Sequence, residues 1–114
     1  MKLEFLGTRG YIEARTRRHN MHSALMVSYH GRKVMIDAGE DWLGRLEELG
    51  ARAIVITHAH PDHAGALQGW ANSPVYATGE SWQRVRLDVA DRRELTLREP
   101  VEIEGLTFEA FAVE

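Results

Sequence analysis

Along this chain the apolar and polar residues fall into short blocks whose period changes from one stretch to the next. Residues 2–6 (KLEFL) predict a short strand, and residues 24–29 (ALMVSY) and 33–36 (KVMI) predict two more. His30-Gly31 lies between the latter two and is a hairpin-turn signal. Residues 7–22 form a polar, basic loop with Arg9, Arg15, Arg17, Arg18 and His19. Asp37-Ala38-Gly39 ends the third strand, and Asp41 is placed to cap a helix running to about Leu49. Trp42, Leu43, Leu46 and Leu49 share one face of that helix, so they read as packing residues, and Gly50 stops it. Residues 53–57 (AIVIT) are a continuous apolar run, the pattern of a strand covered on both faces.

Beyond residue 61 the pattern loosens. Residues 62–70 predict a second helix, Ser73-Pro74 breaks the chain, residues 75–77 predict a strand and residues 79–85 a short helix. Residues 86–93 are charged and carry no clear period. Residues 95–97, 101–103 and 106–113 alternate apolar and polar positions, which predicts antiparallel strands with Gly105 turning between the last two. Strands and helices alternating early, followed by a strand meander, indicate an α/β layered domain without internal repeats.

Composition narrows the chemistry. The 114 residues suffice for one domain, and 44% hydrophobic with 27% charged content is that of a globular chain. A net charge of −3 gives no general attraction to nucleic acid or anionic lipid. No run approaches the roughly 20 apolar residues of a membrane helix, so no membrane partner is expected and the expected location is cytoplasmic. There is no cysteine, which excludes disulfides, thiolate ligands and a cysteine nucleophile. Any metal site must therefore be built from histidine and carboxylate.

Those donors are concentrated in one place. His58, His60, Asp62 and His63 follow directly on the buried strand of residues 53–57, where α/β proteins gather ligands. In an extended segment alternate side chains point the same way, so His58 and His60 are spaced to reach one ion. Pro61 bends and stiffens the chain, leaving Asp62 and His63 to emerge on the other side. The competing interpretation is a chance cluster of solvated loop histidines.

The segment THAHPDHAGAL resembles the H-x-H-x-D-H signature of the metallo-β-lactamase superfamily, and FLGTRG, SALMV and VMIDAG precede it in the family's order. The resemblance implies an αββα sandwich of two similar halves, of which this chain corresponds to the first. That half would be a mixed, mostly antiparallel β-sheet with helices on one face. It further implies two divalent metal ions, zinc before iron or manganese. His58 and His60 would bind the first ion, Asp62 and His63 the second, with Asp62 also the catalytic residue that orients the attacking water. The implied reaction is attack of a metal-bound hydroxide on an ester, thioester, amide or phosphodiester.

Family members also use a third histidine, a bridging aspartate and a last histidine from later segments. No histidine follows His63 here, and Asp88 and Asp91 fall in a charged stretch unlike the bridging-aspartate region. The whole chain, residues 1–114, is therefore expected to be one N-terminal half-domain whose activity needs a completed ligand shell. The sheet face normally covered by the other half is expected to be open, to be covered by a second copy or a partner chain.

Weaker candidates surround this motif. Asp37, in IDAG, is expected to bond backbone near the loop, with metal binding the alternative. His19 and His22 read as loop residues with substrate contact the alternative, and His30 as a turn residue. Arg15, Arg17 and Arg18 could meet a phosphate or RNA backbone, since some relatives are tRNA 3′-processing nucleases, but a solvated loop is the simpler account. Two further functional readings stand beside the hydrolase: a non-catalytic metal-binding or interaction remnant of the fold, and an RNA-processing nuclease.

Overall fold

The computed structural model describes residues 2–7, 24–39, 42, 46–57, 67, 69–84 and 89–111, with the backbone alone for residues 4–7. Six strands form one mixed sheet in the order of the chain: β1 (Lys2–Gly7), β2 (Ala24–Tyr29), β3 (Arg32–Ile36), β4 (Ala53–Val55), β5 (Val75–Thr78) and β6 (Arg92–Leu95). The β1–β2 and β2–β3 pairs are antiparallel, whereas β3–β4, β4–β5 and β5–β6 are parallel. Helices α1 (Leu46–Leu49) and α2 (Gly79–Arg84) lie in the connections that parallel pairing requires. A separate antiparallel hairpin, β7 (Val101–Ile103) and β8 (Leu106–Phe108), closes the chain.

Both hairpins turn by the same device. His30 and Gly31 have φ of 49° and 77°, and Glu104 and Gly105 have 51° and 85°. Positive φ at both central residues is what a type I′ turn demands and what matches the twist of the flanking strands. At each turn glycine takes the second, more extreme position without a Cβ penalty.

The period-2 alternation of the strands separates two cores. Met35, Ile54, Ile56, Val75 and Ala77 face one side, where they pack with Trp42, Leu46 and Leu67 from the helical connections. Trp42 and Leu46 are buried and Leu49 is partly buried, as their shared face predicts. Val34, Ala53, Val55, Tyr76 and Leu95 face the other side and bury Ile103, with Val101 and Phe108 packed alongside. The central part of the face expected to be open is thus covered by the chain's own hairpin. The tip of that hairpin rests on the first one, since the position of a Cβ on Gly105 lies 3.5 Å from Tyr29 and Arg32.

One strand departs from the pattern. Residues 95–97 were expected to form an antiparallel strand, yet β6 is Arg92–Leu95 and runs parallel to β5. It is the sheet edge, so its exposed Arg92, Arg93 and Glu94 carry no apolar alternation and only Leu95 is buried. Side chains hold it instead: Arg92 lies 4.5 Å over the Trp82 ring, Trp82 Nε1 donates to the Arg93 carbonyl at 2.8 Å, and Arg93 Nη1 donates to Tyr76 Oη at 2.8 Å. Leu97 makes an isolated parallel bridge with Ala110. No helix among the described residues is long and apolar enough to cross a membrane.

Candidate functional site

Residues 58–63 lie outside the described residues, as do His19, His22, Arg15, Arg17 and Arg18. The described structure ends at the root of the loop, and that root is built in detail. Strand β4 is buried on both faces, and Ile56 extends its parallel ladder by donating to the Tyr76 carbonyl at 2.8 Å. Thr57, one residue before His58, is held from the neighbouring strand β3. Its backbone N–H donates to Asp37 Oδ1 at 2.7 Å and its hydroxyl donates to Asp37 Oδ2 at 2.6 Å. Asp37 in turn donates its own N–H to the Val55 carbonyl at 2.8 Å.

Asp37 thus bonds backbone at the start of the loop, in the role expected for it. It is 6% exposed and has φ of 64°, a left-handed conformation that aspartate tolerates better than most residues. A buried carboxylate needs such donors, and charge-assisted bonds of this length are the strong ones. Together they fix Thr57, the residue immediately before His58, at the carboxyl edge of the sheet. Thr57 as the side-chain partner was not foreseen; the signal was a hydroxyl residue at the end of a buried strand beside a strand ending in aspartate.

The other described candidates fall away from this edge. His30 sits at the β2–β3 turn, exposed, its ring edge-on to Tyr29 at 4.2 Å. That turn precedes β3, so it lies at the amino end of the parallel strands, opposite the loop root. Both carboxylate oxygens of Asp91 receive Arg93, at 3.2 Å each. Asp91 first, and then Tyr76, raise the Arg93 pKa above its ordinary value, which marks Asp91 as part of the β6 edge. Among the described residues no group of three or more histidine, aspartate or glutamate side chains is placed to hold a metal.

A groove of about 1080 Å³ runs along the carboxyl ends of β3 to β6. Thr57 lines it at the loop root, Thr78 from the end of β5, Glu80, Ser81 and Arg84 from α2, Glu94 from β6, and Leu97, Phe108, Glu109 and Phe111 from the C-terminal segment. Ser81 is tied to Thr78 by its N–H and its hydroxyl, at 3.3 and 3.1 Å. None of this lining was legible in the sequence, because residues 57, 78, 97 and 111 share no motif and meet only through strand order.

A buried mixed sheet whose parallel strands end at a groove, with the H-x-H-x-D-H segment following β4 in the sequence, marks a metallo-β-lactamase fold. The metallo-β-lactamase fold protein YhfI from Bacillus subtilis superposes with a TM-score of 0.69 at 15% identity, over 92% of this chain and 50% of that one. Zn(2+)-bound PqqB from Methylobacterium extorquens superposes with a TM-score of 0.71 at 20% identity, over 97% and 55%. Ribonuclease Z of Methanopyrus kandleri is 36% identical over 70 residues, which are 57% of this chain and 24% of that protein. More specifically, the profile of the family described as anti-Pycsar protein Apyc1 matches residues 1–112, and the chain belongs to that family. It spans about half the length of the two solved structures and about a quarter of the ribonuclease.

Proposed function

We propose that the protein is a metal-dependent hydrolase whose substrate is a phosphodiester. The observation that carries this reading is the anchoring of Thr57 by Asp37 at the carboxyl edge of the sheet, because Thr57 immediately precedes the four histidine and aspartate donors in the sequence. The donor set fits borderline divalent metals such as zinc, iron or manganese, and contains no soft sulfur ligand. His58 and His60 would hold one ion, and Asp62 and His63 a second. Such ions, when bound, make water a nucleophile near neutral pH and polarise the bond to be broken. Asp62 would orient the attacking water and accept its proton, while Asp37 and Thr57 keep the loop in register. Four protein donors for two ions leave positions for water, for substrate and for further protein donors. Zinc is the first choice, supported by the zinc-bound PqqB, and phosphodiester is favoured among the possible esters by the similarity to a ribonuclease.

The test is metal analysis of the purified protein together with turnover of bis(p-nitrophenyl) phosphate. About one or two zinc, iron or manganese ions per chain and turnover abolished in Asp62→Ala are expected. Metal well below one ion per chain with no turnover would instead favour a non-catalytic remnant of the fold. A second reading, an RNA-processing nuclease, draws on the same ribonuclease match. It requires cleavage of structured RNA that is lost when Arg15, Arg17 and Arg18 are replaced by alanine.

A further inference from the structure

Strand β6 ends the sheet, and among the described residues β5 is its one strand neighbour. One bond shows which of its backbone groups that pairing uses. Val75 stands opposite Arg92 and donates its N–H to the Asp91 carbonyl at 3.0 Å. In a parallel ladder Val75 therefore bonds Asp91 and Arg93, and Ala77 bonds Arg93 and Leu95. The N–H and C=O of Arg92 and of Glu94 point away from β5, along the outer edge. Both residues are exposed, and both side chains lie on the helical face. Arg92 is stacked 4.5 Å over the Trp82 ring, and the Glu94 carboxyl fills the space that a Cβ on Gly79 would take. Among the described residues neither charge has an ion-pair partner.

Sheet edges are commonly guarded against pairing by charge or proline. Here the two outward residues carry opposite charges, two positions apart, and such an edge complements itself. Antiparallel pairing with a second copy, about a two-fold axis at Arg93, sets Arg92 opposite Glu94 in both halves of the contact. Each of these pairs exchanges both of its N–H···O bonds. An axis at Arg92 or at Glu94 would instead oppose like charges, which is destabilising. On the hairpin face the axis brings Arg93 opposite its own copy. Asp91 already holds that guanidinium through two contacts of 3.2 Å, and Asp91 of the second copy arrives diagonal to it, so positive and negative groups alternate around the axis. Helix α2 packs against both β5 and β6. Strand spacing then puts its two copies roughly 10 Å apart on one face, within helix-packing distance. The contact is short, because Ala110 bridges Leu97 beyond the end of β6. The second copy's chain turns aside before it reaches Ala110, since Ala90 donates its N–H to the Trp70 carbonyl at 3.1 Å.

We infer that β6 is a homodimerisation edge, at which two copies of this chain join antiparallel through Arg92 and Glu94 and merge two six-stranded sheets into one. A foreign strand could use the same backbone groups, but the paired opposite charges are matched by this edge itself. The inference is independent of the proposed hydrolase function, because it uses no residue of the histidine loop. Antiparallel pairing also sends the two grooves to opposite ends of the joined sheet, so both stay open.

Sedimentation equilibrium of the full chain should show a concentration-dependent dimer. Arg92→Glu and Glu94→Arg each oppose like charges in both pairs and should raise the dimer Kd about tenfold or more. The double swap, Arg92→Glu with Glu94→Arg, restores the complement and should return the Kd to within about threefold of the original. Glu94→Pro removes an outward N–H and leaves the β5 ladder intact, so it should yield a folded monomer by circular dichroism. Hydrogen exchange on the unaltered protein needs no variant. The Arg92 and Glu94 amides should slow as protein concentration rises, whereas those of Arg93 and Leu95 are protected throughout. A protein that stays monomeric at the highest attainable concentration overturns the proposal. So does a dimer whose Arg92 and Glu94 amides exchange fast, or whose Kd is indifferent to the charge reversals. In either of those cases the two copies meet elsewhere, for instance through the exposed Leu97 and Phe111.

Discussion

On the helical face of the sheet, twelve buried residues among those described, from strands, helices and connections, form one continuous core. On the opposite face the described core has six, and Ile103 is the one contributed by the covering hairpin. The same strands supply both, with Ile54 and Val55 adjacent in sequence and facing opposite ways. The helical side is covered by segments that lie between the strands in the chain, so covering it is part of threading the sheet. The hairpin side is covered by a later segment that folds back and, among the described residues, holds through Ile103, Val101 and Phe108. The groove lies at the edge of this more thinly covered side, where Ile36, Val55 and Leu95 line it together with Phe108 and Ala110.

Truncation on the two sides separates these roles most strongly. Ile54→Ala should cost about 3–5 kcal/mol, since a fully buried side chain leaves a cavity in the larger core. Ile103→Ala should cost about 2–3 kcal/mol and raise amide exchange chiefly in β7 and β8. Urea unfolding measures the first difference and hydrogen exchange the second. Uniform loss of protection across both faces in Ile103→Ala would erase the distinction.

At the edge where the two sides meet, Asp37→Ala leaves the Thr57 N–H and hydroxyl without this acceptor. It should cost about 2 kcal/mol of stability and roughly tenfold in zinc affinity by titration. Asp37→Asn should be milder, because one acceptor and the tolerance for a left-handed backbone persist. A double-mutant cycle with Thr57→Val should return a coupling of at least about 0.5 kcal/mol; strict additivity would mean that the root does not act as a unit.

Smaller effects probe how the hairpin is held. Gly105→Ala forces a Cβ into φ of 85° and should cost about 1 kcal/mol in thermal unfolding. Glu104→Gln removes ion pairs to Arg32 and Arg52 that are 4.0 Å long and partly exposed. Its cost should be under about 0.5 kcal/mol and vanish in high salt.

How much of this was legible in the sequence follows from whether each signal is local. The boundaries of β2, both hairpin turns and the doubly buried β4 follow from period, glycine placement and an unbroken apolar run. Strand β6 was missed because an edge strand pays no penalty for charge, so RREL shows no alternation. Its direction came from the α2 crossover, and its stability from Trp82, Tyr76 and Asp91, none of which the strand's own residues announce. The sequence alone determined that four histidine and aspartate donors, His58, His60, Asp62 and His63, sit within six residues, in a chain that orders its segments as the family it resembles does. The tertiary structure alone decided that Asp37 grips Thr57 across 20 positions, that the hairpin closes over Val34, Val55 and Tyr76, and that Leu97 bridges Ala110 beside the groove. Periodicity reports which face a residue presents to its own element. Which neighbour that face meets is fixed only when strand order and burial are satisfied together.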